Sequence, residues 1–274
     1  MKADLHNHSY YSDGVLSPSE VVKLASKAGC DLFSLTDHDT TDGIAEAQLE
    51  ANKLNLNIIN GVEISALWRN MAIHILGLGI DVNNEILQTG LEHNQKLRKE
   101  RAEKIALDLW RSGIKDALEK TQSFSKTDML TRTHFAQMLI SEGYCKDMKS
   151  VFRSYLTGKK PGGVRVEWED FDEVVHWIHA SGGKALIAHP FRYRMTHTKI
   201  KAMINDFKCI SGDGIEVVTG TSSDEEIQLG NQWAGKYNLL ATCGSDFHGW
   251  PNQRVRIGHL RDLPDPAIAV WRYL

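Results

Sequence analysis

Apolar and polar positions along the first third of the chain alternate between short buried runs and helical faces. The opening run, through Leu5 and His8, is strand-like. A helix start follows: Ser17 is placed to cap it, Pro18 suits the first helical position, Glu20 completes a capping box and Gly29 stops it. Residues 31–39 predict a buried strand, and about 43–54 a helix. Residues 57–65 and 72–80 predict two further strands, joined by a polar turn at Arg69-Asn70. Repeated strand–helix units of this kind indicate a parallel sheet or barrel.

From about residue 89 to 160 the rhythm changes. Residues 91–113 predict a long helix with Ala102, Ile105, Ala106 and Leu109 on one face, and 130–143 and 150–158 predict two shorter ones. No strand candidate interrupts them, so 89–160 is expected to be an all-helical insertion between 1–88 and 161–274, two parts of one barrel. Beyond Gly162, a helix at 171–183 precedes a strand at 184–190, and a helix near Lys199 precedes a strand at 214–220. A helix at 225–237 then precedes a strand at 239–249, and 255–260 is a last strand-like run.

Composition narrows the class. A chain of 274 residues at 42% hydrophobic content can bury one large core and suits a single α/β barrel. No run approaches the roughly 18 apolar residues that span a bilayer. Asp4, His6 and His8 interrupt any signal-peptide core. Cys30, Cys145, Cys209 and Cys243 form no C-x-x-C pair and read as reduced, mostly buried thiols of a cytoplasmic protein. The net charge of −3 hides an asymmetry: residues 89–160 hold 15 Lys+Arg against 9 Asp+Glu, leaving 17 against 26 elsewhere. A basic segment in an acidic scaffold suggests an anionic ligand, the alternative being a solvated basic face.

The strand ends carry the candidate chemistry. His6 and His8 lie on the first strand with Asp13 after it, His38 ends the second, Glu63 sits on the third and His74 on the fourth. His189 ends the fifth, and Asp246 and His248 close a later one. In an α/β barrel the carboxyl ends of the strands converge on one mouth, and alternation puts His6 and His8 on one face. Each residue alone has an ordinary structural explanation; together they are nine ligands, too many for one ion. Imidazole and carboxylate without thiolate suit Mn2+, Zn2+ or Fe2+. Two or three such cations would clamp a phosphoryl group and activate water, which fits phosphoester hydrolysis.

Taken in order, His6-Asn7-His8 with Asp13, Thr36-Asp37-His38, Gly61-Val62-Glu63, His74, His189-Pro190 and Gly244-Ser245-Asp246-Phe247-His248 resemble the polymerase-and-histidinol-phosphatase (PHP) family of metal-dependent phosphoesterases. Thr131 to Phe135, His189 to Tyr193 and the ending after Gly249 resemble one branch, the bacterial 3′,5′-nucleoside bisphosphate phosphatases, which include the 5′→3′ exoribonuclease ribonuclease AM. The resemblance implies a distorted, TIM-like (β/α)7 PHP barrel and three divalent metals, Mn2+ foremost. It implies that His6, His8, Glu63 and Asp246 hold the first metal. Glu63 would bridge to a second, shared with His74 and His189, and Asp13, His38 and His248 would hold the third. A bridging hydroxide would attack phosphorus in line, releasing the 3′-phosphate of a bisphosphate or a nucleotide from 5′-phosphorylated RNA.

Phe191 departs from the family pattern, standing where glycine is expected after His189-Pro190. Arg132, His134 and Arg192 in the matched stretches, and Arg98 or Arg101 on the long helix, are candidates to grip a second phosphate, because a guanidinium can bind phosphate oxygens bidentately. Trp168, Phe191 and Tyr193 are aromatic enough to stack a base, although core packing explains each. The expected partner is a nucleotide or short RNA, with no membrane and no obligate protein partner. Two other functions compete: histidinol phosphate phosphatase, which needs an anionic group for the substrate amine, and a non-catalytic nucleic-acid-binding module that metals merely stabilise.

Overall fold

A computed structural model of the chain describes residues 1–249 and 254–274. Seven strands, β1 (Ala3–Asp4), β2 (Leu32–Leu35), β3 (Asn57–Trp68), β4 (Met71–Leu78), β5 (Lys184–Ile187), β6 (Gly214–Thr219) and β7 (Leu240–Gly244), form one sheet whose spatial order is the sequence order. The Leu5 N–H donates to the Cys243 carbonyl at 3.0 Å and the Asp246 N–H to the His6 carbonyl at 2.8 Å, so the two edges meet in a nearly closed barrel.

The parallel arrangement expected from the strand–helix rhythm fails at one strand. β3 turns back into β4 through Arg69 and Asn70, both at positive φ (46° and 62°), the two-residue turn whose twist matches paired antiparallel strands. β4 is therefore antiparallel to both β3 and β5, while the other neighbours are parallel. Its amino-terminal half consequently lies at the mouth reached by the carboxyl ends of the parallel strands. That reversal, rather than a strand end, brings His74 to the mouth.

Helices α1 (Pro18–Lys27) and α2 (Ile44–Leu54) cover one flank, and the Ser17/Glu20 capping box forms as expected. The third helix, α3 (Glu85–Arg111), starts from an Asn84 cap, so the boundary at 89 and the expected start at 91 both fall inside it. Leu87 and Leu91 join the barrel core. Ala102, Ile105, Ala106 and Leu109 instead join a second core with Phe135, Met138 and Leu139. One helix thus carries the basic segment out from the barrel. A short helix that the sequence pattern did not indicate, α4 (Ala117–Gln122), precedes α5 (Arg132–Ser141) and α6 (Met148–Val151), which runs into a π-turn at Phe152–Leu156. The return is made by α7 (Phe171–Ala180), α8 (His197–Cys209) and α9 (Asp224–Tyr237).

Residues 255–260 form turns rather than the expected strand. Val255 and Ile257 alternate inward because both are buried, without a ladder to pair with. Cys30 and Cys243 are buried, but Cys209 is exposed, and all four thiols are free. No helix among the described residues is long and apolar enough to cross a membrane.

Gly90 lets α3 lie against α7: a Cβ there would stand 2.3 Å from the Trp177 indole. Gly90→Ala is expected to lower the urea midpoint, since overpacking costs about 1–3 kcal/mol and outweighs the up to about 1 kcal/mol that alanine adds to a helix interior. A midpoint that stays put or rises would refute this contact.

Candidate metal centre

The mouth is assembled from chain ends that a buried polar network holds in place. Asp4 accepts the backbone N–H groups of Ser245 (2.7 Å) and Gly258 (2.7 Å), and Asn7 donates to Asp4 while accepting from Ser245 Oγ. This ties the segment carrying His6 and His8 to the one carrying Asp246. Gly244 is required at the crossing, because a Cβ there would lie 2.2 Å from His6 Cβ. Asp37 accepts from Ser9 and Ser12, fixing the loop that leads to Asp13.

All nine residues expected as ligands converge. His6 Nε2 and His8 Nε2 each lie 3.2 Å from Glu63 Oε2, and 3.4 and 3.1 Å from Asp246 Oδ1. His74 Nδ1 and His189 Nε2 approach Glu63 Oε1 at 2.9 and 2.8 Å. His248 Nε2 and His38 Nε2 face Asp13 Oδ1 at 3.1 and 3.7 Å. Among the described residues, three sets have donor atoms within 4.8 Å of one another: His6/His8/Glu63/Asp246, His8/Asp13/His38/His248 and His38/Glu63/His74. The first matches the set implied for the first metal, and the second is the set implied for the third metal, Asp13, His38 and His248, with His8 added. In the third, His38 stands beside Glu63 and His74, while His189 reaches Glu63 without joining a set.

The donor chemistry fits divalent cations. His6 Nε2, His8 Nε2, Asp13 Oδ1, His38 Nδ1, Glu63 Oε2, His189 Nδ1 and Asp246 Oδ1 are buried and make no hydrogen bond. Buried polar atoms left so are costly, and six of these, all but His189 Nδ1, converge on one mouth, which is the signature of a ligand set. Burial holds His38 down to about 3, against the pull of Glu63 and Asp13. Burial likewise lowers His74, His189 and His248. Asp13 and Glu63 are held well below the carboxylate range: burial raises them, but the surrounding imidazoles prevail. Neutral imidazole and ionised carboxylate are the ligating forms. His6 differs, because Glu63 and Glu216 overcome its burial and push it up to about 10, so a cation there competes with a proton.

Two candidate ligands have strained backbones: His189 at φ 29° and Asp246 at φ 53°. Such conformations persist only where surroundings over-determine them.

A cavity of about 400 Å³ opens beside the cluster. Asp13, His38 and His74 of the cluster line it together with Arg98, Arg101, Arg132 and Trp168. The arginines are not equivalent. Arg98 Nε donates to Asp39 Oδ2 at 2.6 Å and its Nη2 to Ser65 Oγ at 2.8 Å, so its charge is neutralised. Arg101 and Arg132 have no carboxylate within salt-bridge distance among the described residues, lying over Trp168 and Phe152 instead. Burial, then repulsion from Arg98, lowers the pKa of each; Arg132 adds to the repulsion on Arg101.

His134 does not line this cavity. It is buried, and its Nδ1 accepts the Thr131 N–H at 3.2 Å, capping α5 at the turn that presents Arg132. Arg192 lies across the cluster, pairing with Asp246 and donating to Thr221 Oγ1 at 3.2 Å. Phe191 stacks on Trp233 at 5.2 Å above the space left by Gly230, which accommodates the departure from glycine. The Tyr193 hydroxyl accepts the His74 N–H at 2.8 Å. The sequence pattern did not single out Asp37, Asp39, Thr133 or Glu216. Thr133 Oγ1 donates to Asp13 at 2.8 Å. Glu216 had a visible signal, a carboxylate in the otherwise apolar run of β6.

Fold and site together define an α/β barrel with a candidate metal-binding cluster of His, Asp and Glu at its mouth. The chain belongs to the PHP family: the PHP domain profile matches residues 4–219. It is 41% identical over 273 residues to a 3′,5′-nucleoside bisphosphate phosphatase from Chromobacterium violaceum, covering 99% of this chain and 95% of that one. A 5′-3′ exoribonuclease from Haemophilus influenzae is 38% identical over 273 residues, with 98% of each covered. The solved structure of an amidohydrolase from Chromobacterium violaceum with bound sulfate superposes with a TM-score of 0.94 at 41% identity, covering 100% of this chain and 95% of that one.

Asp39 gives an acid-stability prediction. Burial raises its carboxyl, but Arg98, the Ser65 N–H and Asn94 outweigh this and hold it low. A depressed folded pKa contributes stability above the unfolded value, about 4, and that stability is lost as pH falls through the folded value. Asp39→Asn is expected to cost about 3–5 kcal/mol at neutral pH by stranding Arg98, and to flatten the stability–pH curve below about pH 4. Chemical denaturation across pH checks both; an unchanged curve would refute the pairing.

Proposed function

We propose that the chain is a metal-dependent phosphoesterase that removes the 3′-phosphate from nucleoside 3′,5′-bisphosphates and degrades 5′-phosphorylated RNA from its 5′ end. One observation carries this: ligand-type side chains of the cluster line one nucleotide-sized cavity together with a buried Arg101 and a half-buried Arg132, and neither arginine has a carboxylate within salt-bridge distance among the described residues. A substrate with two phosphates satisfies both the cluster and the arginines. The relatives' activities support it, being a 3′,5′-nucleoside bisphosphate phosphatase and a 5′-3′ exoribonuclease.

His6, His8, Asp13, His38, Glu63, His74, His189, Asp246 and His248 would hold divalent cations, three per chain and Mn2+ foremost, with Zn2+ or Fe2+ as alternatives. Such cations screen phosphoryl oxygens and bring the pKa of water near neutrality. The protein's own share is orientation. Arg101 and Arg132 bind the distal phosphate, Trp168 lies under the guanidinium groups of Arg98 and Arg101, and Arg98 holds the mouth through Asp39. The segment from 89 to 160 is then the substrate-binding insertion. Histidinol phosphate is disfavoured because the cavity beside the cluster is lined by arginines, and a merely metal-stabilised module because all nine expected donors are present. The four free thiols support a reducing compartment, the cytoplasm.

Mn2+-loaded protein is expected to hydrolyse adenosine 3′,5′-bisphosphate and 5′-monophosphorylated oligoribonucleotides; inertness towards both sinks the proposal. Arg132→Ala should lower kcat/KM for the bisphosphate at least tenfold, about 1.4 kcal/mol, while leaving a simple monophosphate ester within about twofold. Equal losses on both substrates would remove Arg132 from the distal phosphate.

A further inference from the structure

β6 carries none of the nine candidate ligands, yet its Glu216 reaches two of them. Glu216 is fully buried. Its Oε1 lies 3.0 Å from His6 Nδ1, and its Oε2 accepts the His189 backbone N–H at 2.7 Å. The far nitrogen of each ring points to the cluster: His6 Nε2 is 3.2 Å from Glu63 Oε2 and His189 Nε2 is 2.8 Å from Glu63 Oε1. The His189 backbone sits at φ 29° and ψ 57° directly before Pro190. A side chain disfavours that conformation, and a following proline opposes it further.

We infer that Glu216 is a positioning residue for the metal centre. One carboxylate orients the His6 ring with its Nε2 lone pair towards the cluster and clamps the His189 backbone in its left-handed turn. With Glu216 Oε1 as the acceptor facing His6 Nδ1, the ring hydrogen belongs on Nδ1, and Nε2 is left free to ligate. Carboxylates that hold ligating imidazoles this way tune metal affinity about 10–100-fold. Here the same group also holds a second ligand's backbone, so two strands are set at once. A glutamine of the same shape has one acceptor for two donors. If its amide NH2 faces His6, the hydrogen moves to Nε2, where it blocks ligation; if it faces His189, two N–H groups oppose each other.

The inference rests on cations binding this cluster, as in the proposed function. Chelated wild-type and Glu216→Gln chains would be titrated with Mn2+ by calorimetry, with far-ultraviolet circular dichroism as the folding control. The expected result is a folded variant that binds Mn2+ about 10–100-fold more weakly and recovers most of its kcat at raised Mn2+. Unchanged affinity, or lost turnover that raised Mn2+ does not restore, would overturn it. A second measurement needs no variant: in the Zn2+-loaded wild-type chain, nitrogen NMR should find His6 protonated at Nδ1, and protonation at Nε2 would overturn the inference. Wild-type protein that binds neither metal would instead sink the proposed function itself.

Discussion

A carboxylate with no exposure to solvent, Glu63, sets the terms for the rest of the mouth. An isolated buried charge costs several kcal/mol, so the fold must surround Glu63 with groups that favour its ionised form. His6, His8, His38, His74 and His189 do so, and they come from β1, β2, β4 and β5 or the segments just after them. No local segment can assemble that shell. The edge-to-edge closure of the sheet and the reversal of β4 are both needed to bring five imidazoles around one side chain, which makes barrel closure and site formation a single event.

Behind that shell lies a layer of buried acids whose oxygens are occupied by backbone and hydroxyl donors. Asp4 joins the ends of β1 and β7, Asp37 holds the loop before Asp13, and Asp39 ties α3 to the mouth through Asn94, Ser65 and Arg98. Each replaces hydration with fixed donors, so the strained turns at His189 and Asp246 are held by surroundings that cannot easily relax. Fixed dipoles and charges of this kind act without reorganising during a reaction. The same layer sorts the arginines: Asp39 neutralises Arg98, while Arg101 and Arg132 keep their charge for the cavity.

Much of the site was legible in the sequence because its signals are local. Alternation put His6 and His8 on one face, and strand ends marked His38, His189 and Asp246. The capping box at Ser17 and Glu20 and the turn at Arg69-Asn70 were legible for the same reason: the groups that satisfy them are within a few residues. Residues 255–260 misled because burial of Val255 and Ile257 produces the alternation of a strand without a partner strand. The capping role of His134 was not legible, since a helix-capping imidazole and a phosphate-binding one look alike in sequence. Glu216 lacked a motif, and only its contacts with His6 and His189, 210 and 27 residues distant, show what it holds.

By itself, then, the sequence determined the order of the seven barrel strands, the cap of α1, the nine metal-competent side chains and the basic character of the segment from 89 to 160. Those properties follow from spacing and residue type. Tertiary structure alone decided which charges remain. Arg98 and Arg101 share a helix and a charge, yet among the described residues only Arg98 meets a carboxylate, one 59 residues away. It also decided that His38 stands between Asp13 and Glu63, because the direction of a ring is set by packing from neighbouring strands. Periodicity tells which face a residue occupies; the partner it meets there depends on chain closure over long sequence distances.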